Sequence, residues 1–144
     1  MHLLERLGLE YLDLTKNAAD LSGGEKQRIS LIRSLLLHPE VLLLDEVTAS
    51  LDRGSKQRVE ELLLEWHVQE GTTMIWVTHD LEQAKHISRT IWFMGEGTLL
   101  ESCPTDVFFT HPSTETARCF IQGQAVEQLL HIPNESINEV SSCP

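Results

Sequence analysis

The sequence is poor in basic residues. Its 144 residues include 11 Lys and Arg against 22 Asp and Glu, which gives a formal net charge of −11. Proteins that hold nucleic acid neutralise its phosphates with Lys and Arg, so this charge balance argues against direct binding to DNA or RNA. The length suits one small domain or a part of one, and it leaves no room for a second domain.

The sequence also lacks long apolar runs. Segments such as Val41–Leu44 fall far short of the roughly 20 apolar residues that a membrane-spanning helix needs. Residues 1–6 do not begin the apolar core of a secretory signal. The 3 cysteines lie late in the chain without the Cys-x-x-Cys spacing of a zinc site, which fits a reducing compartment. We therefore expect a cytoplasmic protein that contacts a membrane only through a partner.

A phosphate-binding glycine loop is missing as well. No Gly-x-x-x-x-Gly-Lys-Ser/Thr segment occurs, and none of the lysines follows a glycine. That loop cradles nucleotide phosphates with its backbone N–H groups, and its lysine reaches the β- and γ-phosphates. The chain by itself is therefore expected to bind a nucleoside triphosphate very weakly.

Two helices are predicted in the first half of the chain. Ser22 is a good helix N-cap, and apolar residues recur at helical spacing over about 24–37, before Pro39. A second helical pattern covers 55–70 and ends at Gly71, a residue suited to the left-handed conformation that closes many helices.

Two apolar runs in the same region are typical of strands. Val41–Leu44 and Thr72–Val77 are nearly continuous in apolar residues, as expected of strands that are buried on both faces of a parallel sheet. Strand, helix and strand in this order predict an α/β fold, a parallel sheet with flanking helices. Trp66, Trp76 and Trp92 fall within apolar stretches and are expected to pack in the core. Beyond residue 80, helices are predicted over 81–87, 107–109 and 114–122, and a hairpin over 90–94 and 98–101.

Ser22, Gly23 and Gly24 open the first predicted helix. A serine hydroxyl, two residues without side chains and unpaired N–H groups at the positive end of a helix dipole form a suitable receptor for a phosphate. An isolated Ser-Gly-Gly is more typical of an ordinary cap and turn. The residues that follow it here favour the phosphate receptor.

Charged residues follow both predicted strands. Asp45 and Glu46 end the first strand, at the edge where open α/β sheets bind their ligands. Because adjacent strand residues point to opposite sides, the two carboxylates should have different roles. The alternative is an exposed acidic turn. His79 follows the second strand, where it is placed to hydrogen-bond a phosphate, and the six other histidines lack such a context.

These segments occur together in one protein family. Residues 21–28 read Leu-Ser-Gly-Gly-Glu-Lys-Gln-Arg, the acidic pair and Ser50-Leu51-Asp52 follow, and Thr78-His79-Asp80 comes after the next strand. In this order they resemble the ATP-binding cassette (ABC) ATPases. The resemblance implies the C-terminal part of a P-loop NTPase fold, which is incomplete here because the phosphate loop is absent. It divides the chain into the end of a helical subdomain with the signature helix (1–38), part of the core (39–123) and a polar, disordered tail (124–144).

The resemblance also implies roles for single residues, with ATP and Mg²⁺ as ligands. In the family, the serine–glycine segment contacts the γ-phosphate of ATP held by the other subunit of a dimer. Asp45 resembles the aspartate that holds Mg²⁺, and Glu46 resembles the glutamate that polarises the attacking water. His79 resembles the histidine that contacts the γ-phosphate. The implied contacts to ATP are Ser22, Gly23, Gly24, Gln27 and Asp52, the last in a loop that crosses the dimer seam.

The expected partners are a second ATPase subunit and a transmembrane permease at the inner face of the membrane. The cargo stays open, because residues 14–33, 41–52 and 76–80 resemble cassettes assigned to iron or metal export, whereas 95–123 are closer to importers of phosphate, tungstate and related anions. We expect a truncated gene product, a gene model with a late start, or a fragment, rather than a complete transporter subunit. Two alternatives are a non-catalytic fragment that completes a partner's ATP site and the head portion of an SMC-type DNA-maintenance ATPase. The absence of coiled-coil heptads before residue 21 argues against the latter.

Overall fold

The computed structural model describes residues 3–15 and 17–130. These residues form two compact units, and the chain passes from the first to the second between Thr78 and His79. The first unit contains α1 (Leu3–Arg6), a short 3-10 helix (Ala18–Asp20), α2 (Gly23–Leu35), β1 (Val41–Asp45), α3 (Arg53–Glu70) and β2 (Thr73–Val77). The second contains α4 (Leu81–Ile87), β3 (Thr90–Gly95), β4 (Thr98–Pro104), α5 (Thr105–Thr110) and α6 (Glu115–Leu130).

The two long helices of the first unit have well-defined ends. Ser22 caps the start of α2, as predicted. Asp52 caps α3, and Gly71 ends it in the left-handed conformation with φ of 70°. A residue with a Cβ is disfavoured at that φ, which explains why a glycine closes the helix here. Both helices therefore begin and end where the local sequence predicts, within two residues.

The sheet of the first unit consists of β1 and β2 in parallel, with Val41 opposite Thr73 and Asp45 opposite Val77. Leu42 and Leu44 point into the core and are buried. Leu43, on the other face, is 66% exposed. The prediction that both faces of these strands are buried is therefore wrong for this chain. The reason is that the helices of this unit pack their apolar side chains against one face only.

The core of the first unit is formed mainly by leucines from α1, the segment after it, α2, α3 and β1. Trp66 on α3 is buried within it and Trp76 on β2 packs against it, as predicted. Neither indole N–H has a hydrogen-bond partner in the structure. Trp92, which was expected to pack in a core, is 61% exposed on β3, so that prediction is wrong. The buried members are Leu3, Leu7, Leu9, Leu31, Leu35, Leu42, Leu44, Val59, Leu62, Leu63 and Trp66.

The second unit is built around the predicted hairpin. β3 and β4 pair antiparallel, and Glu96 and Gly97 make the turn with positive φ. Phe93 on β3 lies 5.5 Å from Phe108 on α5 and 5.6 Å from Phe120 on α6, between ring centroids. This aromatic group joins the hairpin to both C-terminal helices, with Leu81 and Ala117 in the same buried cluster.

A buried carboxylate, Glu101, holds the segment that enters α6. Its oxygens accept hydrogen bonds from the N–H groups of Ser113 at 2.9 Å and Thr114 at 3.3 Å. The hydrogen bond from Ser113 contributes most to lowering the pKa of Glu101 below its usual value, and burial opposes that shift. A charged side chain at this position therefore serves the fold, since it satisfies N–H groups that precede the first turn of α6.

α6 is longer than predicted. The sequence pattern predicts a helix over 114–122 and a disordered tail from residue 124, but the helix extends to Leu130. The polar, disordered tail predicted over 124–144 stays a prediction. Residues 131–144 lie outside the described residues. The predicted boundaries at 38/39 and 123/124 stay predictions.

One-sided burial of β1 leads to a direct test. Leu44→Ala should lower the free energy of unfolding of this chain by about 2–5 kcal/mol, because it leaves a cavity in the core. Leu43→Ala, the same substitution one residue earlier on the exposed face, should change it by no more than about 0.5 kcal/mol. Urea unfolding followed by tryptophan fluorescence measures both. Equal losses would show that both faces of β1 are buried.

Candidate functional site

The first part of the candidate site is the beginning of α2. The Ser22 hydroxyl accepts a hydrogen bond from the N–H of Glu25 at 3.2 Å, and the Glu25 carboxylate accepts one from the N–H of Ser22 at 2.8 Å. This reciprocal pair fixes the direction in which the chain enters the helix. Gly23 and Gly24 are the first two helical residues, and their N–H groups precede any acceptor inside the helix.

The two glycines differ in their surroundings. A Cβ added to Gly23 would meet nothing within 4 Å, so its backbone is open to a ligand. A Cβ added to Gly24 would lie 3.2 Å from Cδ2 of Leu51, which is closer than an ordinary contact. Gly23 therefore leaves room for a ligand beside the helix. Gly24 allows the loop after β1 to approach the helix.

The Glu25 carboxylate also receives the hydroxyl of Tyr11, which donates to it at 2.9 Å. The hydrogen bond from the Ser22 N–H is the largest cause that lowers the pKa of Glu25, and the hydrogen bond to Glu25 raises the pKa of Tyr11. Glu25 consequently stays ionised and Tyr11 stays protonated near neutral pH. The negative charge lies in the first turn of α2, where the helix dipole favours it.

The second part of the candidate site is the acidic pair at the carboxyl end of β1. Asp45 pairs with Val77, and both Asp45 and Glu46 are exposed. Glu46 has a left-handed backbone with φ of 46°, and its N–H donates to the carbonyl of Val77 at 3.0 Å. Both carboxylates therefore lie at the sheet edge that parallel α/β folds use for ligands.

A metal ion at this edge would need ligands from outside the described residues. Within 3–15 and 17–130, no group of three or more His, Cys, Asp and Glu side chains is arranged to hold a metal. Asp45 offers one exposed carboxylate, a hard oxygen ligand that suits Mg²⁺ when phosphate oxygens and water complete the coordination. The residues present fit a shared Mg²⁺ site and do not form a complete one.

Gln27 joins the two parts of the site. Its Nε2 donates to the backbone carbonyl of Glu46 at 3.3 Å, and its Oε1 accepts from the Ser50 hydroxyl at 2.6 Å. The structure thus brings the beginning of α2 and the acidic pair together through one side chain. The sequence pattern did not predict Ser50 as a partner, because the bond spans 23 residues.

Asp52 and His79 complete the predicted set. One oxygen of Asp52 accepts from the N–H groups of Gly54 and Ser55, both at 3.0 Å, which caps α3. The hydrogen bond from the Ser55 side chain contributes most to lowering the pKa of Asp52. His79 is exposed and opens the second unit, directly before the α4 cap Asp80. The predicted roles of these residues toward ATP stay predictions.

Arg28 has a structural role that sequence patterns did not reveal. Its guanidinium donates to the carbonyl of Leu7 at 2.8 Å and contacts the Ser55 hydroxyl at 3.4 Å. It also donates to the carbonyl of Gly24 at 3.2 Å. One side chain therefore fixes α2 against the end of α1 and the start of α3, which holds the first turn of α2 in place.

Comparisons with known proteins agree with these motifs. A family profile described as ABC transporter matches residues 1–49. The Putative ABC transporter ATP-binding protein YjkB of Bacillus subtilis is 49% identical over 110 residues, 76% of this chain and 44% of that protein. The L-cystine import ATP-binding protein TcyN of the same species is 40% identical over 136 residues, 94% of this chain and 51% of that protein. The Probable iron export ATP-binding protein FetA of Escherichia coli is 47% identical over 91 residues, 63% of this chain and 40% of that protein.

The matches confirm the resemblance that the motifs indicated. The chain spans about half the length of the curated relatives it matches, 44% of one and 51% of another. Among the described residues, no helix is long and apolar enough to cross a membrane.

The different surroundings of the two glycines predict different effects of the same substitution. Gly23→Ala should raise the free energy of unfolding by about 0.5 kcal/mol, because alanine favours the helix and meets no neighbour. Gly24→Ala should leave the protein about 1 kcal/mol less stable than Gly23→Ala, since Leu51 must move. Urea unfolding of both variants measures this difference. The opposite order would place the close contact at Gly23.

Proposed function

This chain belongs to the ABC transporter ATP-binding proteins, and we propose that it supplies the part of such a subunit that completes and activates an ATP site whose phosphate loop lies outside these residues. One observation supports this proposal most strongly. Gln27 links the phosphate-receptive beginning of α2 to the acidic pair at the end of β1, within one compact unit. This link would connect a receptor for the phosphate of a partner's ATP to carboxylates suited to hold Mg²⁺ and orient water, groups of the kind that phosphoryl transfer requires.

The proposed roles follow from exposure and position. Ser22, Gly23 and Gly24 would contact the γ-phosphate of ATP held by a second subunit, because the start of α2 is open at Gly23. Asp45 would contribute a ligand to Mg²⁺, which offsets the negative charge of the phosphates when it is bound. Glu46 would accept a proton from the attacking water. His79 would hydrogen-bond the γ-phosphate.

Gln27 and Asp52 are weaker candidates for direct contact with ATP. Both amide atoms of Gln27 are engaged with the loop after β1. One oxygen of Asp52 caps α3. Their interactions within the chain support a role in holding the loop of residues 46–52, which carries the proposed general base.

The proposed partners are a second ATP-binding subunit and a membrane permease. The proposed location is the cytoplasmic face of the membrane, where such a permease would hold the chain. The cargo stays open, since the names of two relatives refer to cystine import and iron export. The membrane-spanning partner would select the cargo, so the residues of the ATPase do not indicate which cargo is transported.

A non-catalytic role is the second candidate. The open backbone at Gly23 is compatible with this role, in which the chain would only offer the beginning of α2 to a partner's ATP. The SMC-type alternative gains no support, since none of the relatives named above is a DNA-maintenance protein.

A chimaera tests the catalytic proposal. The matched 110-residue segment of the Bacillus subtilis relative is replaced with the corresponding residues of this chain, and the rest of the relative is kept to supply the parts of an ATP site that this chain lacks. We expect ATP hydrolysis that Glu46→Gln lowers at least about 100-fold, because the general base is lost. Steady-state phosphate release measures the rate.

Glu40→Gln is the matched control, since Glu40 is an exposed glutamate just before the same strand. It should leave the rate unchanged. Ser22→Arg should also abolish hydrolysis, because a bulky side chain blocks the beginning of α2. Hydrolysis that survives Glu46→Gln would contradict the catalytic proposal. A chimaera that binds ATP without hydrolysing it would favour the non-catalytic role.

A further inference from the structure

The loop of residues 46–51 is held in a conformation that a residue with a Cβ rarely adopts. Glu46 has a φ of 46°. The carbonyl of Glu46 accepts from the N–H of Ala49 at 3.0 Å, and the carbonyl of Thr48 accepts from the N–H of Leu51 at 3.2 Å. Left-handed backbone at a non-glycine residue is unfavourable and persists only where surrounding contacts hold it.

Gln27 provides contacts at both ends of this loop. Its Nε2 reaches the carbonyl of Glu46 at the start, and its Oε1 receives the Ser50 hydroxyl near the end. One primary amide thus satisfies an acceptor and a donor that are four residues apart. Because the amide donates with one end and accepts with the other, its orientation is fixed by the loop.

A packing contact reinforces these hydrogen bonds. Leu51 lies against the backbone of Gly24, where a Cβ would approach Leu51 Cδ2 to 3.2 Å. Thr48, between these points, is buried. The loop therefore touches the first turns of α2 both through the Gln27 amide and through the glycine backbone. A shift of the beginning of α2 would reach the Glu46 backbone directly.

We propose that Gln27 is a positioning residue that fixes residues 46–51 to the first turns of α2 and holds the left-handed backbone at Glu46. Its role in catalysis rests on the proposed function. It couples a ligand at Ser22–Gly24 to the direction in which the Glu46 carboxylate points. The glutamine itself does not contact the nucleotide.

Amide hydrogen exchange of the full 144-residue chain without nucleotide tests this proposal. Gln27→Glu replaces the Nε2 donor with an oxygen that faces the Glu46 carbonyl. Exchange at the Ala49 and Leu51 amides should become about tenfold faster near neutral pH, as expected when a loop loses its hydrogen bonds. Exchange in α3, for example at Leu62, should stay unchanged.

Protonation of the new carboxyl group should restore amide protection in the Gln27→Glu variant. A general loss of stability would not be reversed in this way. A neutral carboxyl group is close to an amide in shape, and it again donates a hydrogen to the Glu46 carbonyl. As the pH falls to about 4.5 and below, the protection of Ala49 in Gln27→Glu should rise with the protonated fraction of the new carboxyl group, toward the wild-type value measured at the same pH.

Two further variants make the test specific. Gln57→Glu makes the same substitution on α3, where Gln57 donates to Glu61 at 2.9 Å, and it should leave residues 46–51 unaffected. Ser50→Ala removes the partner at the other end of the loop and should accelerate the same amides. Because Ser50 is exposed, this variant remains informative even if Gln27→Glu fails to fold.

Unchanged exchange at Ala49 and Leu51 in both Gln27→Glu and Ser50→Ala would overturn the proposal. Equal acceleration throughout α2, β1 and α3 would also overturn it, because the side chain would then only support global stability. Since no nucleotide is present, this result is independent of the proposed function. Failure of the chimaera to hydrolyse ATP would not change the conclusion from hydrogen exchange. Unchanged hydrogen exchange would likewise not change the conclusion from the chimaera.

Discussion

Burial of Leu42 and Leu44 against the helices of the first unit determines where the candidate site lies. Side chains alternate along a strand, so an inward Leu44 places Asp45 on the outer side, at the end of β1. The same core holds α2 against the sheet through Leu31 and Leu35. The beginning of α2 and the end of β1 meet because the apolar residues behind them pack together. The core brings the beginning of α2 and the end of β1 together. The hydrogen bonds of Gln27 then fix these two segments to each other.

The outer face of the sheet, in contrast, is exposed. Val41 and Leu43 are exposed there, as is Val77 on β2, although all three are apolar. Continuous apolar strands suit a sheet that is covered on both faces. An exposed apolar face of this kind is suited to packing against further protein residues.

Local signals in the sequence predicted most element boundaries. Ser22 and Gly71 mark helix ends by their own hydrogen bonding and backbone freedom, so neighbouring residues suffice to identify them. The contacts of Gln27 with Glu46 and of Arg28 with Leu7 span 19 and 21 residues, and no local pattern specifies such partners. The exposure of Trp92 was missed for a similar reason. A strand pattern identifies two faces but not which of them will be covered.

The candidate residues were predicted mainly through family likeness. Composition and periodicity located the beginning of α2 and the end of β1, and the ordered motifs added the roles. The structure contributes the link between them, which makes Glu46 dependent on the position of α2. Through that dependence, a phosphate bound at Ser22–Gly24, on ATP held by a second subunit, would influence the position of Glu46.

Nucleotide binding by the purified chain is the most direct measurement. A fluorescent ATP analogue is titrated with Mg²⁺ from micromolar to millimolar concentration against the 144-residue protein. If the nucleotide-contacting residues act only together with a phosphate loop from elsewhere, no saturable binding will be seen. Saturable binding that Asp45→Ala abolishes would contradict this, since the chain would then contain a complete nucleotide pocket of its own.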